Sequence, residues 1–421
     1  MTDTNIQYLF DRGMFGMKMG LENIRKLLEF LNIDHTGIKT IHIAGTNGKG
    51  STANMLSQML ISCGYKTGLF TSPHLQRFNE RIRINGVDIP DDELSEYISS
   101  FKEGIEKFNC TFFEANTAIA LKYFVDHKVD IAVIEAGLGG RLDSTNILNP
   151  LISAVTGIDY DHQKHLGSSI IQIAREKAGI IKPGTDIVLN TRKRPVVKYF
   201  SSAARKKGSR LIPVKNNTAV FRKGHEGQKV KFFIGQVAVE ADFKLNGTYQ
   251  KDNLRTALTV IKRLSKNIKL DPLKIKEAVE NLKIKARMEK ISQDPLIILD
   301  AAHNSEGLSF LKKVISDHNK GTVHLITGIV KDKDYENSLR MILNFDSEIY
   351  FSQASNSRML DCETVKNSRL VNSVKNINFF KSPSEAFEEA VINYRKGDMI
   401  LVSGSHFIIG DFLDGLNNKL K

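Results

Sequence analysis

The 421-residue sequence has only three cysteines, Cys63, Cys110 and Cys362, which lie far apart in the chain. Their odd number and the lack of a C-x-x-C pair argue against a disulfide framework and against a cysteine-built metal site. Long apolar runs are also missing, since the longest, such as residues 131–134 and 296–299, fall far short of the roughly 20 residues of a membrane span. The amino-terminal MTDTNIQYLF shows no signal-peptide pattern. We therefore expect a cytoplasmic protein without a membrane partner, in which any metal is a hard cation bound by oxygen.

Acidic residues are fewer than basic ones, with 47 Asp and Glu against 60 Lys and Arg, a net charge of +13. Such an excess favours anionic partners, namely nucleotides, polycarboxylates or nucleic acid. Eight basic residues and no acidic one lie between Arg192 and Arg210. Apolar residues at helical spacing there predict an amphipathic surface helix. Its basic face is interpreted as solvated, with an anion-binding surface as the alternative. Because Tyr199 and Phe200 are the only aromatic residues in the stretch, stacking on nucleic acid bases is not expected.

The chain is long enough for two or three domains, and 41% hydrophobic with 25% charged residues is ordinary globular composition. Short apolar strands alternate with helices from residue 40, which predicts a mostly parallel sheet covered by helices on both faces. The predicted strands are residues 40–44, 67–70, 129–136, 152–158 and 186–189. Residues 218–243 alternate instead, and predict an antiparallel hairpin attached to that sheet. The strand–helix alternation restarts at Pro295, so we predict domains 1–290 and 291–421.

The segment TIHIAGTNGKGST at residues 40–52 runs from a strand through a glycine turn into a helix. Backbone N–H groups, the helix N-terminus and Lys49 would together cradle phosphates. The strict G-x-x-x-x-G-K-[ST] motif is not met, because Ile43 replaces its first glycine and Gly50 follows the lysine. We expect Lys49 to lie in a solvent-facing loop. The predicted nucleotide-binding residues are Gly45, Thr46, Asn47, Gly48, Lys49, Gly50 and Ser51.

This variant loop resembles the Mur ligase superfamily and, within it, the folylpolyglutamate synthase/dihydrofolate synthase branch of bacterial bifunctional type. Six further blocks match in family order: TSPHL at 71–75, RFNER at 77–81, EAGLGGRLDSTN at 135–146, DH with LG at 161–167, EKAGIIK at 176–182 and LDAAHN at 299–304. Residues 15–22 resemble the family's opening segment, and VSGSH at 402–406 is a weaker match.

The resemblance implies a Mur-ligase-like α/β fold, with an N-terminal P-loop ATPase domain and a smaller C-terminal Rossmann-like domain that meet at a cleft. It also implies a monomeric ligase that uses ATP and Mg²⁺ to add L-glutamate to dihydropteroate and to reduced folates through an acyl phosphate. The alternatives are a folylpolyglutamate synthase alone, a Mur-type ligase acting on another carboxylic acid, and a nucleotide-dependent nucleic-acid protein. Catalysis by such a ligase should consist mostly of positioning and electrostatics.

The resemblance also assigns residues. Glu135 ends an apolar strand, where α/β sheets bind ligands, and is taken with Ser72 and His162 as a metal ligand. Lys49, Lys177 and His303 are taken as catalytic residues, and the lysine that matches Lys177 is carbamylated in the family. Asn253, Arg287 and Asp300 are assigned to the nucleotide, although Lys285-Ala286 stands where the family usually has Pro-Gly. Phe113, Glu114, Leu142 and Asp143 are assigned to the acyl acceptor, with core packing as the alternative for the first two.

Overall fold

The computed structural model describes residues 2–13, 20–224, 227–318, 320–331, 335–372 and 376–419, so most of the predicted opening segment lies outside the described residues. Two compact units are present. The first comprises residues 1–74, 78–244 and 248–282, and the second comprises residues 75–77, 245–247 and 283–421. None of the described helices is both long and apolar enough to cross a membrane.

The first unit contains ten helices and eleven strands among its described residues. The helices are α1 (Thr2–Gly13), α2 (Glu22–Phe30), α3 (Lys49–Ser62), α4 (Asp91–Lys107), α5 (Phe112–Asp126), α6 (Gln163–Leu166), α7 (Ile170–Ala178), α8 (Arg194–Lys206), α9 (Thr248–Leu264) and α10 (Pro272–Glu280). The strands are β1 (Lys39–Ala44), β2 (Thr67–Phe70), β3 (Ile82–Ile84), β4 (Val87–Asp88), β5 (Ile131–Glu135), β6 (Ile152–Val155), β7 (Ile187–Leu189), β8 (Leu211–Pro213), β9 (Ala219–Gly224), β10 (Gly227–Ile234) and β11 (Val237–Phe243).

Eight of these strands form one sheet in the order β4-β3-β2-β5-β1-β6-β7-β8. The six strands from β2 to β8 in that order pair in parallel, and β3 and β4 add an antiparallel edge. Every residue of β2, β5 and β6 is buried. These strands consist mostly of consecutive apolar residues because helices cover both faces of a parallel sheet, so that side chains on both faces are buried. The carboxyl ends of β1, β2 and β5 therefore lie side by side at one edge.

The prediction for residues 218–243 was wrong in two respects. The segment forms three antiparallel strands, β9, β10 and β11, and these make a separate sheet in the order β11-β10-β9. The missed turn lies at Gly235, whose φ of +59° suits the tight connection from β10 to β11. Helix α10 contacts β11, and α9 contacts β9 and β10, so the apolar face of this small sheet packs on helices and does not extend the large sheet.

The second unit contains six strands and five helices among its described residues. They are β12 (Arg287–Gln293), β13 (Leu296–Asp300), α11 (Ser305–Asp317), β14 (Val323–Thr327), α12 (Tyr335–Leu343), β15 (Glu348–Ser352), α13 (Cys362–Lys366), β16 (Ile377–Phe380), α14 (Pro383–Asn393), β17 (Met399–Ser403) and α15 (His406–Lys419). The strand order is β12-β13-β17-β14-β15-β16, and β12 is the antiparallel strand. Apolar clusters lie on both sides of this sheet.

The α/β fold class with two units is confirmed by this architecture. The strands predicted within residues 40–189 are all present, and strands again alternate with helices after Pro295, as predicted. The boundary predicted between residues 290 and 291 falls inside β12, whereas the two compact units divide at Leu282 and Lys283.

Candidate active site

The phosphate loop, residues 45–48, joins β1 to α3 at the carboxyl edge of the large sheet. Thr46 donates its backbone N–H to the Gly157 carbonyl at 2.8 Å and its hydroxyl to the Asp159 carbonyl at 3.0 Å. The hydroxyl of Thr156 donates to the Asn47 carbonyl at 2.6 Å. The loop is therefore clamped by the segment that follows β6. This clamp presents the N-terminus of α3, which suits an anion.

The sequence predicts that Lys49 lies in a solvent-facing loop, and this prediction is wrong. Lys49 is the first residue of α3, it is half-buried, and its Nζ donates to the Thr46 carbonyl at 3.2 Å. Its ammonium group is thus folded over the phosphate loop. Gly50 and Ser51 occupy the same first turn of α3, and Ser51 is buried. All seven predicted nucleotide residues of this loop lie together.

Asn253 of α9 packs directly against the phosphate loop. A Cβ on Gly48 would lie 2.2 Å from Asn253 Oδ1, so only glycine permits this approach. Gly48 also has a φ of +81°, a conformation that side chains disfavour. The Asn253 Nδ2 donates to Gln250 Oε1 at 2.9 Å, which fixes the orientation of the amide. The structure therefore brings together Asn253 and the loop, which are far apart in sequence.

Glu135 ends β5 with its carboxylate beside the first turn of α3. Only 3% of the residue is exposed. A Cβ on Gly50 would lie 3.3 Å from Glu135 Oε2, and the Ser72 backbone N–H donates to the same oxygen at 3.0 Å. Ser72 and Glu135, two of the three predicted metal ligands, are therefore adjacent.

Lys177 of α7 points at the phosphate loop. Its Nζ donates to the Gly45 carbonyl at 2.8 Å, and the residue is only 3% exposed. Burial and, to a lesser extent, the charge of Lys49 lower the pKa of Lys177 to about 7, against the opposing effect of Asp161 and Asp143. A substantial fraction of this amine is consequently neutral near physiological pH.

His162, the third predicted metal ligand, lies at the N-terminus of the short helix α6. Its φ is +48°, a left-handed conformation unusual for a histidine. Its backbone N–H donates to Asp161 Oδ1 at 2.9 Å. Because the charge of Asp161 acts on Lys177, this loop lies near the Lys177 side of the site.

Asp143 holds together the glycine turn, residues 137–143, that follows β5. Its Oδ2 accepts from the Leu138 N–H at 2.7 Å and its Oδ1 from the Thr145 N–H at 3.0 Å. Burial raises the pKa of Asp143, while these hydrogen bonds oppose the increase. Asp143 thus shapes the turn through contacts within the protein. Its neighbour Leu142, a predicted acceptor residue, is half-buried.

Phe113 and Glu114 begin α5 and have different surroundings. The Phe113 ring lies against the backbone of Gly137, where a Cβ would approach it to 2.4 Å. Glu114 forms a capping box with Thr111, whose N–H donates to Glu114 Oε2 at 2.8 Å. The structure therefore places Phe113 on the glycine turn, and it uses the carboxylate of Glu114 to start a helix.

In the second unit, Asp300 ends β13 opposite Arg287 of β12. The Met288 N–H donates to Asp300 Oδ2 at 2.9 Å and the Ala302 N–H donates to Oδ1 at 3.0 Å. Ala286 and Met288 both have φ values near +50°. Ala286 therefore adopts the left-handed conformation in the place where the family usually has glycine, at a cost of about 1–2 kcal/mol.

His406 is a site residue that sequence reasoning missed. Its Nε2 lies 3.3 Å from Arg287 Nη2, and its ring centroid lies 5.7 Å from that of His303. His303 Nδ1 in turn bonds to the Ala301 carbonyl at 2.8 Å. Arg287, Asp300, His303 and His406 thus meet at the carboxyl end of the second sheet. The sequence signal that could have identified His406 is the VSGSH block. Like LDAAHN, this block runs from the end of a strand and contains a histidine.

Arg81 and His74 were also missed, although the blocks that contain them were recognised. Arg81 is buried, and its Nε donates to His74 Nδ1 at 2.7 Å. Burial lowers the pKa of Arg81 to about 10, against the charges of Glu135 and Glu80. Burial also lowers the pKa of His74 to about 3, so His74 is neutral and accepts this hydrogen bond. A buried arginine near Glu135 adds a positive charge that neither block reveals by itself.

No group of three or more His, Cys, Asp and Glu side chains with metal-binding geometry occurs among the described residues. The Glu135 carboxylate beside Ser72 nevertheless matches the chemistry of a hard cation, which takes one or two protein oxygens and completes its shell with water and phosphate.

Comparison with known proteins agrees with this geometry. Residues 43–261, just over half of the chain, match the Mur ligase middle domain, and residues 286–406 match the Mur ligase glutamate ligase domain. The dihydrofolate synthase/folylpolyglutamate synthase of Bacillus subtilis is 30% identical over 420 residues, which cover 96% of each chain.

Two solved structures share the whole fold. The folylpolyglutamate synthase of Thermotoga maritima has a TM-score of 0.84 and 32% identity, over 99% of this chain and 97% of its own. The bifunctional folylpolyglutamate synthase/dihydrofolate synthase of Yersinia pestis, solved with AMPPNP and a Mn ion, has a TM-score of 0.85 and 26% identity, over 99% of this chain and 98% of its own. The chain therefore belongs to the folylpolyglutamate synthase/dihydrofolate synthase branch of the Mur ligase family.

Proposed function

We propose that this protein is an ATP-dependent ligase that adds L-glutamate to dihydropteroate and to reduced folates. The observation that carries the proposal is the cluster around the phosphate loop. Glu135 abuts Gly50 in the first turn of α3, and Lys177 bonds to the Gly45 carbonyl in the loop. Similarity to named dihydrofolate synthase/folylpolyglutamate synthases along nearly the whole chain supports the same chemistry.

The reaction needs two steps because a carboxylate is a poor electrophile. In the first, the carboxylate oxygen of the acceptor attacks the γ-phosphorus of ATP, the bond to the β-phosphate oxygen breaks, and ADP leaves. In the second, the neutral amine of glutamate attacks the acyl phosphate, an amide forms, and phosphate and a proton are released. Lys49 and the N-terminus of α3 would stabilise charge on the transferring phosphoryl group.

A divalent cation, Mg²⁺ in this proposal, would be held by Glu135 and Ser72, with His162 as the third assigned ligand. When bound, it would neutralise charge on the phosphates. The Glu135 carboxylate is a hard oxygen donor that suits such an ion, and the Ser72 N–H that donates to its Oε2 fixes its position. The neighbouring Gly50 leaves room because a Cβ there would already contact the carboxylate.

Lys177 is proposed to be carbamylated in the active enzyme. Carbamylation requires a neutral amine and CO₂, and burial supplies the first by lowering the pKa of Lys177 to about 7. The carbamate would replace a cation by an anion next to Lys49. Isotopically labelled bicarbonate should give a carbamate resonance in the carbon NMR spectrum of the wild type. A spectrum of Lys177→Met that retains the same resonance would assign it to another amine and contradict the proposal.

The other predicted site residues are assigned separately in each of the two units. In the first unit, Phe113, Leu142 and the turn shaped by Asp143 are proposed to bind the acyl acceptor, and Asn253 the nucleotide. In the second unit, Arg287 and Asp300 are assigned to the nucleotide and His303 to the glutamate step. The enzyme is proposed to act as a cytoplasmic monomer, with two functional domains that correspond to the two compact units.

The test is ADP release by purified protein with ATP, Mg²⁺ and L-glutamate. Parallel reactions contain 7,8-dihydropteroate, tetrahydrofolate, or no acceptor, and mass spectrometry follows the product. We expect both acceptors to stimulate ADP release and to gain one glutamyl unit. Failure of both acceptors would refute the folate assignment.

A folylpolyglutamate synthase without the dihydropteroate activity is the second candidate, and it is favoured by the equally complete structural match to the Thermotoga maritima enzyme. In that case only tetrahydrofolate would stimulate ADP release. The same assay therefore separates the two candidates.

A further inference from the structure

A buried histidine below the phosphate loop connects β1 to the glycine turn. His42 lies in β1, which pairs with β5 so that His42 stands opposite Ile134, the residue before Glu135. The residue is 0% exposed, and its Nε2 lies 2.8 Å from Thr145 Oγ1. The Thr145 hydroxyl bonds in turn to Asp143 Oδ1. A continuous chain of hydrogen bonds thus runs from the central sheet to Asp143.

The direction of this chain follows from counting protons. A threonine hydroxyl has a single hydrogen, and here it is donated to the Asp143 carboxylate. The His42–Thr145 bond therefore requires His42 Nε2 to carry the proton. His42 Nδ1 has no hydrogen-bond partner among the described residues, as suits the unprotonated nitrogen of that tautomer. Burial and the nearby charge of Lys182 lower the pKa of His42 to about 3, so the ring stays neutral.

The short helix that carries Thr145, residues 144–147, is held at its other end as well. Lys182 Nζ donates to the Asn146 carbonyl at 2.6 Å, and the Asn146 amide donates to the Arg141 carbonyl at 2.9 Å. Asp143 accepts from Leu138 and Thr145 at the start of the same segment. The glycine turn and the short helix after it are therefore held by several hydrogen bonds. The hydrogen bond from His42 is one that comes from the central sheet.

We propose that His42 is a positioning residue that holds the glycine turn 137–143 in the shape that receives the acyl acceptor, by donating to Thr145 and so orienting its hydroxyl toward Asp143. The inference rests on the proposed function, because that turn lies against Phe113 in the assigned acceptor site. His42 contacts neither nucleotide nor acceptor in this scheme. Its loss should consequently weaken acceptor binding and leave ATP binding unchanged.

The test compares His42→Gln with His42→Asn. The amide nitrogen of glutamine reaches about as far as imidazole Nε2 and can keep the donor, whereas that of asparagine reaches only as far as Nδ1. His324→Asn is the matched control, since His324 is an equally buried histidine in the second unit, bonded to Tyr350 and Asp398. The His324→Asn variant should show how a loss of overall stability, without a change at the glycine turn, affects the two readouts.

Two readouts are measured on the full-length variants. Hydrogen exchange of the peptide 136–146, followed by mass spectrometry without substrates, should accelerate in His42→Asn and stay near wild type in His42→Gln and His324→Asn. The KM for dihydropteroate, or for tetrahydrofolate if only that acceptor is used, should rise about tenfold in His42→Asn, as expected for a lost buried hydrogen bond. The KM for ATP should change less than about twofold, since the phosphate loop keeps its own clamp.

The proposal is overturned if exchange in His42→Asn equals that of the wild type, or if His42→Gln is as impaired as His42→Asn. Equal increases in the KM values for ATP and acceptor would also overturn it, because a general distortion would explain them. A wild-type protein that releases no ADP with either acceptor would refute the proposed function instead. The exchange data would still decide whether His42 holds the turn.

Discussion

Two lysines bond to backbone carbonyls of the phosphate loop and have different chemistry. Lys49 is half-buried and bonds to the Thr46 carbonyl, whereas Lys177 is buried and bonds to the Gly45 carbonyl. The charge of Lys49 lowers the pKa of Lys177, in the same direction as burial does. Lys49 is therefore placed to bind phosphate, whereas Lys177 has access to its neutral form.

Lys49→Ala should reduce kcat for ADP release by about a hundredfold or more, because it removes a preorganised charge at the transferring phosphoryl group. The melting temperature should change little, since Lys49 makes one partly exposed hydrogen bond to a carbonyl. Steady-state kinetics and thermal unfolding check both expectations. Lys193→Ala is the control, because Lys193 forms an exposed ion pair with Asp159 close to the same loop. Normal turnover in Lys49→Ala would show that the loop does not act on phosphate.

The buried amine of Lys177 should make stability depend on pH. Its pKa is 10.5 when unfolded and about 7 when folded, so between these values the unfolded state binds more protons. The free energy of unfolding of the wild type should therefore rise with pH across this window, by up to about 1.4 kcal/mol per pH unit. Below about pH 7 this dependence should vanish.

Urea unfolding in CO₂-depleted buffers, with Lys177→Met as the reference, measures this effect. The difference between the two proteins cancels contributions from other titrating groups. A difference that stays constant from pH 7 to pH 10 would mean that Lys177 keeps its charge in the folded protein.

At the scale of elements, the β1–loop–α3 junction depends on tight backbone approaches. Gly48 supplies the positive φ that starts α3, and Asn253 occupies the space where a side chain would stand. Gly64, just after α3, has a similar φ of +88° but open space around it. Substitution of Gly64 therefore measures the free energy cost of the backbone conformation alone. Substitution of Gly48 adds the cost of disturbing the contact with Asn253 of α9.

Gly64→Ala should destabilise the protein by about 1 kcal/mol, the cost of a left-handed alanine. Gly48→Ala should cost more, because its Cβ must also displace the Asn253 amide, and it should raise the KM for ATP. Denaturant unfolding and kinetics on both variants test this comparison. Equal stability losses with an unchanged KM for ATP in Gly48→Ala would show that the packing of Asn253 is not needed.

At the scale of the whole molecule, the net charge of +13 suits a ligase that must bind three anions. Part of the basic stretch 192–210 is used locally, since Lys193 pairs with Asp159 and Arg210 with Asp186. Helix α8 buries Val196, Phe200 and Ala204, so its apolar spacing reflects packing on the first unit. We expect the remaining charge to act on anionic substrates at long range.

We expect kcat/KM for ATP to fall several-fold as NaCl is raised from low to physiological concentration, because salt screens the attraction of ATP to a basic protein. The kcat at saturating substrate should change much less. Kinetics at matched viscosity and osmolality, with sucrose in place of salt, provide the control. A kcat/KM independent of salt would mean that the net charge does not assist substrate capture.

The sequence alone determined the α/β class, the strands of the central sheets, the phosphate loop and the family. It could do so because burial on both faces forces continuous apolar strands, and because glycine, lysine and hydroxyl residues in a fixed order are needed wherever a backbone cradles phosphate. These features are local, so they can be recognised in a single stretch of chain.

Which residues meet, and what each carboxylate does, depends on contacts between segments that are distant in sequence. Asn253 lies against Gly48 and His406 beside Arg287 although they are distant in sequence. The T-x-x-E spacing of Thr111 and Glu114 is a capping-box motif that the sequence analysis did not use, whereas Asp143 makes hydrogen bonds that build a turn, which the family blocks do not reveal. The same holds for the hydrogen-bond chain from His42 and for the low pKa of Lys177. Burial and partner geometry arise from packing between segments, and a pattern along one segment does not contain them.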